Sequence, residues 1–297
     1  MKHVDLTGMG IALITPFQTD GEVDYQSLSR LLDFQLQNDT DYLVVLGTTA
    51  ETATLTIPEQ QQITRFVVEK VEKRIPIVLG ISGNCTKAVV ERLKTENLEG
   101  VDAILSVVPY YSKPSQEGIY QHFKAIAQNA PLPVVLYNVP GRTGTNMTAE
   151  TTLRLAHEFD NVIAIKEASG IFAQIGAIIK NKPKDFLVIS GDDGITLPLI
   201  SIGSKGVISV IGNTFPKEFS RMVHLALSGE YAEAQSLHYD LLELFDLLFV
   251  DGSPAGVKSL LHIMGYVENE LRLPLVPARG DTYERIRSVF VKLKTKN

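Results

Sequence analysis

With 297 residues the chain is long enough to bury one large core or two smaller ones. Charged residues at 21% and hydrophobic residues at 44% exclude a disordered chain and fit an ordinary globular protein. A net charge of −6 argues against nonspecific binding to nucleic acid or an acidic membrane surface, yet leaves a small anionic substrate open, because charge at a site can oppose the net charge.

Short apolar runs rich in Val and Ile recur about every 30 residues, bounded by Gly, Pro or polar residues, as strands buried on both faces read. In chain order, Gly10–Thr15 precedes a helix at Tyr25–Gln37, and Tyr42–Leu46 precedes one at Pro58–Lys73. Thr56-Ile57-Pro58-Glu59 forms a capping box at the start of the second helix. The alternation continues with Ile75–Leu79 and Thr86–Glu96, Ala103–Val107 and Gln116–Gln128, then Pro133–Tyr137 and Thr148–Glu158. It closes with Val162–Ile165 and Phe172–Lys180, Phe186–Ile189 and a short helix at Ile195–Ile202 containing Pro198, and Gly206–Val210 and Pro216–Leu227.

Eight such units predict a parallel (β/α)8 barrel, with a doubly wound open sheet as the alternative. Past Ser228 the period changes. Tyr231–Phe249, Pro254–Met264 and Thr282–Lys294 read as three helices with no strand between them. Ser253 reads as an N-cap before Pro254 at the first helical position, and Gly265 as the stop. The expected division is a barrel over 1–228 and a helical region over 229–297. Met1–Asp5 lacks the apolar stretch of an export signal. No apolar run reaches the roughly 18 residues of a membrane span. Cys85 is the only cysteine, so no internal disulfide is expected, and we expect a cytoplasmic protein.

In a barrel of this kind the chemistry gathers where strands meet their following loops. Lys166 ends the run Val162–Ile165 there. Burying the cation is costly, and desolvation favours the neutral amine, the form that attacks a carbonyl; the competing reading is a buried ion pair with Glu167 or another carboxylate. Tyr137 leaves the preceding strand and is either an amphipathic core residue or a phenol serving the amine as acid and base. Gly47-Thr48-Thr49-Ala50-Glu51 is either a polar turn or a carboxylate cradle of hydroxyls and backbone N–H groups. Arg142, in the loop with Pro140 and Gly141, is either a surface arginine or a fork for a carboxylate. Asp192 and Asp193 follow another strand, contacting substrate or stabilising their loop. None of the six histidines lies at a strand exit. Glu51, Glu167, Asp192 and Asp193 lack a recognisable metal-ligand spacing, so neither metal nor cofactor is expected.

Together, Gly47–Glu51, Tyr137-Asn138-Val139-Pro140-Gly141-Arg142-Thr143, Lys166-Glu167-Ala168-Ser169, Pro109-Tyr110-Tyr111 and Ser190-Gly191-Asp192-Asp193 resemble the dihydrodipicolinate synthase family. The resemblance runs through the whole chain to Leu271–Leu275. It implies that Lys166 forms a Schiff base with pyruvate, whose carboxylate Thr48 and Thr49 hold, with Ile208 lining the pocket and Gly191 offering a backbone contact. It implies a proton relay from Tyr137 through Thr48 to a tyrosine donated by a neighbouring subunit, matched by Tyr111. Arg142 would receive the carboxylate of L-aspartate 4-semialdehyde, in a homotetramer built as a dimer of dimers. Two departures stand out. Ala50 replaces a glycine usual in the family, which requires negative φ there. Asn84 and Tyr110 match an allosteric lysine site, but Ile57 and Ala88 replace its histidine and glutamate, so weak or absent lysine inhibition is expected. Rival readings are a sister pyruvate-dependent aldolase, such as N-acetylneuraminate lyase or a keto-deoxy sugar acid aldolase, and a noncatalytic barrel that binds a keto acid or amino acid.

Overall fold

The computed structural model describes residues 4–296; Met1, Lys2 and His3, part of the segment read as lacking an export signal, lie outside it, as does Asn297. Eight parallel strands close into a barrel in sequence order: β1 Gly8–Ala12, β2 Tyr42–Val45, β3 Ile77–Gly80, β4 Ala103–Val107, β5 Val134–Asn138, β6 Val162–Glu167, β7 Leu187–Ser190 and β8 Gly206–Ser209. β1 pairs with both β2 and β8, so no sheet edge remains. The outer helices are α1 Tyr25–Leu36, α2 Ile57–Val71, α3 Thr86–Thr95, α4 Gln116–Asn129, a single turn α5 Pro140–Thr143, α6 Ala149–Glu158, α7 Phe172–Asn181, α8 Thr196–Ser201 and α9 Pro216–Ser228. α10 Tyr231–Leu247, α11 Ala255–Ile263 and α12 Gly280–Lys296 follow without a strand.

The strands are apolar on both faces because each face meets a different layer. Val44, Val78, Leu105, Val135, Ala164 and Ile189 fill the barrel interior, whereas Leu43, Leu79, Ile104, Leu136, Ile165 and Val188 meet the helices. A bulge between Val134 and Val135 sets the β5–β6 register, beyond which Tyr137 pairs with Lys166 and Asn138 with Glu167.

Three expectations shift. β1 begins earlier than the apolar run implied, because Gly8 and Met9 are strand residues, with Gly8 packed where a side chain would overlap Asp41. β6 extends through Lys166 and Glu167. Pro254 is itself the cap of α11, and Ser253 lines a cavity. Other predicted punctuation holds. Thr56 and Glu59 exchange both bonds of a capping box, and Gly265 (φ 80) ends α11 with its N–H donating to His262 O at 2.9 Å. Residues of α10, α11 and α12, including Leu244, Leu260 and Ile286, belong to the same continuous core as the barrel's outer layer.

Candidate active site

At the carboxyl end of the barrel lies a cavity of about 440 Å³. Thr48, Thr49, Tyr137, Arg142, Lys166, Gly191, Asp192 and Asp193 line it from the strand exits, as the barrel logic requires. The Lys166 side chain is 6% exposed, with Nζ 4.5 Å from the centroid of the Tyr137 ring. Among the described residues no carboxylate forms an ion pair with it. The ion-pair alternative therefore falls.

Glu167 occupies the other face of β6 by simple alternation. Its carboxylate accepts from Asn138 Nδ2 at 3.1 Å, Gln174 Nε2 at 3.1 Å and Ser169 N at 2.8 Å. Glu167 thus turns away from the amine and ties β6 to Asn138, Ser169 and Gln174. Gly191 supplies room: a Cβ there would sit 2.7 Å from Ala168 Cβ and 3.1 Å from Lys166 Cε. Its lack of a side chain, besides any backbone contact with a ligand, is what lets the lysine arm lie in the cavity.

Thr48–Ala50 form a single 3-10 turn whose internal bonds begin at the Ala50 N–H, donating to Gly47 O at 3.2 Å. The threonine N–H groups at the head of that turn are not spent on it, which suits an anion. The left-handed residue here is Glu51 (φ 55); Ala50 keeps negative φ, as its Cβ demands. Leu46, just before the turn, is also left-handed (φ 56). Two non-glycine residues in this conformation bracket the threonines, a form of backbone strain that collects at functional sites.

Arg142, on α5, is exposed to the cavity and pairs with no acidic side chain among the described residues, so its fork is free for a ligand. Asp192 accepts from Gly194 N at 3.0 Å, and Asp193 from Val210 N at 3.0 Å and Ile211 N at 2.8 Å. Both carboxylates therefore hold the loops after β7 and β8. Burial pushes the Asp193 carboxyl up to about 6.

Other expected residues stand apart. Ile208 is buried in the barrel interior, one pleat below Val210, which lines the cavity in its place. Tyr111 lies outside the cavity: it is left-handed (φ 68), 90% exposed, and donates its N–H to Thr143 O at 3.3 Å. Asn84 Oδ1 accepts from Tyr110 N at 2.8 Å. Tyr110 and Ile57 line a second cavity of about 520 Å³, which shares Thr48, Tyr137, Val139, Arg142 and Ser253 with the first. Phe245, Asp246, Phe249, Val250 and Ser253 complete the first cavity's outer wall. They were not anticipated, because they come from the helical region and follow no strand. Asn213, whose side chain bonds Ala12 O at 2.9 Å and Ile14 N at 3.3 Å, ties the last strand exit to the first.

The model of the dihydrodipicolinate synthetase family matches residues 5–293. The chain belongs to that family. It is 67% identical over 296 residues to the 4-hydroxy-tetrahydrodipicolinate synthase of Parabacteroides distasonis, covering 100% of both chains. A chloride-inhibited dihydrodipicolinate synthase from Acinetobacter baumannii, solved with pyruvate, superposes with a TM-score of 0.95 at 38% identity, covering 98% of this chain and 99% of that one. A dihydrodipicolinate synthase variant described as monomeric superposes with a TM-score of 0.94 at 40% identity, covering 97% of each. Like them this member is a lyase-type (β/α)8 barrel, and no helix among the described residues is long and apolar enough to cross a membrane.

Proposed function

We propose that this family member condenses pyruvate with L-aspartate 4-semialdehyde through an imine on Lys166. The product is 4-hydroxy-tetrahydrodipicolinate, at the first committed step of diaminopimelate and lysine biosynthesis, in the cytoplasm. The observation that carries the reading is the buried Lys166 amine, which has no carboxylate partner among the described residues, opens onto a cavity and has Tyr137 beside it.

Lys166 Nζ attacks the keto carbon of pyruvate, and the carbinolamine loses water to give the cationic imine. Tyr137 moves the protons for that dehydration. It is relayed by Thr48 and by Tyr111 from a neighbouring subunit. Thr48 and Thr49 hold the pyruvate carboxylate on the head of their turn, with Gly191 leaving the space and Ile208 backing the pocket. Loss of a methyl proton turns the imine into an enamine, whose terminal carbon attacks the aldehyde carbon of the second substrate. Arg142 receives that substrate's carboxylate bidentately. The semialdehyde's own amine then displaces Lys166 from the imine carbon, closing the ring and freeing the enzyme.

A second carboxylated substrate explains the free guanidinium better than a sugar chain does, since neutral hydroxyls need no cation. The exposed Tyr111 ring supports an assembly of at least two copies, and a dimer of dimers is the proposed form. The barrel over 1–228 supplies the chemistry, and the region over 229–297 the outer wall of the cavity. Ile57 and Ala88 offer no charge to an amino acid bound near Asn84 and Tyr110, so lysine inhibition is weak or absent; an inhibition constant in the low micromolar range contradicts this. The function itself is tested by supplying pyruvate with aspartate semialdehyde or, separately, with N-acetylmannosamine. Turnover of the first pair alone is expected, and turnover of the second alone overturns the assignment.

A further inference from the structure

We infer that Lys258, through its buried ion pair with Glu51, is a positioning residue for the Thr48–Thr49 turn and so for pyruvate. This role presupposes that the two threonines hold the keto acid, as proposed above. Glu51 is the joint between two consecutive 3-10 turns, Thr48–Ala50 and Thr52–Thr54. Its N–H donates to Thr48 O at 3.1 Å, and its carbonyl accepts from Thr54 N at 2.9 Å. Its left-handed backbone sets the direction in which the threonines face the cavity. A Cβ disfavours that conformation, and at Glu51 buried partners fix it.

The surroundings come from the far end of the chain. Lys258, on α11, is fully buried and pairs with the Glu51 carboxylate, whose other oxygen accepts from Arg272 N at 3.1 Å. Lys258 Nζ also donates to Glu270 O at 2.9 Å and lies 4.1 Å from the centroid of the Phe17 ring. The Arg272 guanidinium stacks on that ring at 4.6 Å and bonds Gly21 O, Thr54 O and both oxygens of Glu59. The segment carrying Glu270 and Arg272 is thereby strapped over the turn.

A fully buried pair of this kind adds little stability over apolar residues of the same shape. Its distinctive property is direction: the carboxylate has one place to go, and the backbone joint follows it. The left-handed joint lies two residues from Thr49, so a displacement of the carboxylate reaches the cradle directly.

The test compares wild type, Lys258→Met and Glu51→Gln/Lys258→Met for thermal midpoint, for KM toward each substrate, and for the Lys166 adduct trapped by borohydride at subsaturating pyruvate. The double variant leaves no uncompensated charge, so it folds even where the single variant does not. In whichever variant folds, the KM for pyruvate rises about tenfold or more while the KM for the semialdehyde moves less than about threefold, as expected for a displaced cradle. A merely structural pair would lower the thermal midpoint and leave both KM values alone. A folded variant with unchanged pyruvate KM, or loss of folding in both variants, overturns the positioning role. Absence of an adduct in wild type overturns the imine reading itself, which keeps the two failures apart.

Discussion

Two buried lysines sit at the carboxyl end of this barrel and differ in their company. Lys258 and Lys166 are 0% and 6% exposed, and each lies against an aromatic ring. Lys258 has a carboxylate, a carbonyl and a strap of chain around it. Lys166 has a glycine, a phenol ring and open space. Burial alone does not make a lysine a nucleophile: a saturated partner set makes a fixed cation that holds the chain, and an unfilled one leaves an amine free to bond carbon. The environment of Lys258 does perturb it, since burial lowers its pKa to about 8 against the opposing pull of Glu51, yet its Nζ lone pair has no route to a substrate.

The contrast is most sharply broken at Lys166. Lys166→Met should cut kcat/KM by at least about 10⁴-fold, because no other group forms the covalent intermediate. Its thermal midpoint should hold or rise, since the amine being replaced forms no ion pair among the described residues. Tyr137→Phe should lower kcat by about 10²–10⁴-fold, the usual worth of a positioned acid and base, while pyruvate binding survives. Lys258→Met should do the opposite of Lys166→Met, costing about 3–5 kcal/mol of stability by stranding Glu51, most of it recovered in Glu51→Gln/Lys258→Met. Denaturant titration of the variants reads these differences.

The smallest effect lies at the edge of the strap. The Arg272 guanidinium holds the Glu59 carboxyl down to about 2, against an ordinary value of 4.5. A depressed carboxylate contributes stability that is fully present above pH 4.5 and is lost as pH falls toward 2. Glu59→Gln keeps the helix cap and removes the charge. It should be less stable than wild type by about 1–2 kcal/mol near neutral pH, with the gap closing between pH 4.5 and 2. A gap that persists at pH 2 contradicts this assignment of the pair.

The barrel was legible because its buried strands are Val- and Ile-rich and alternate with helical patterns at a regular spacing. β1 starts two residues before the apolar run because Gly8 carries no apolar signal; a side chain there would overlap Asp41, as one at Gly10 would overlap Tyr42, contacts between strands. Lys166, Tyr137, Thr48, Thr49, Arg142 and Gly191 were legible as strand exits, and they meet at one cavity. Phe249, Val250 and Ser253 were not, since their approach to the mouth depends on how α10 and α11 pack. The Glu51–Lys258 pair was hidden for the same reason. Glu51 reads as part of the Gly47–Glu51 turn and Lys258 carries no signal of its own, and only tertiary packing brings the two together.

The most direct test of the account uses both lysines at once. The protein is incubated with pyruvate, reduced with borohydride, digested and mapped by mass spectrometry. One adduct is expected, on Lys166, with Lys258 unmodified. An adduct on Lys258, or none on Lys166, would contradict it.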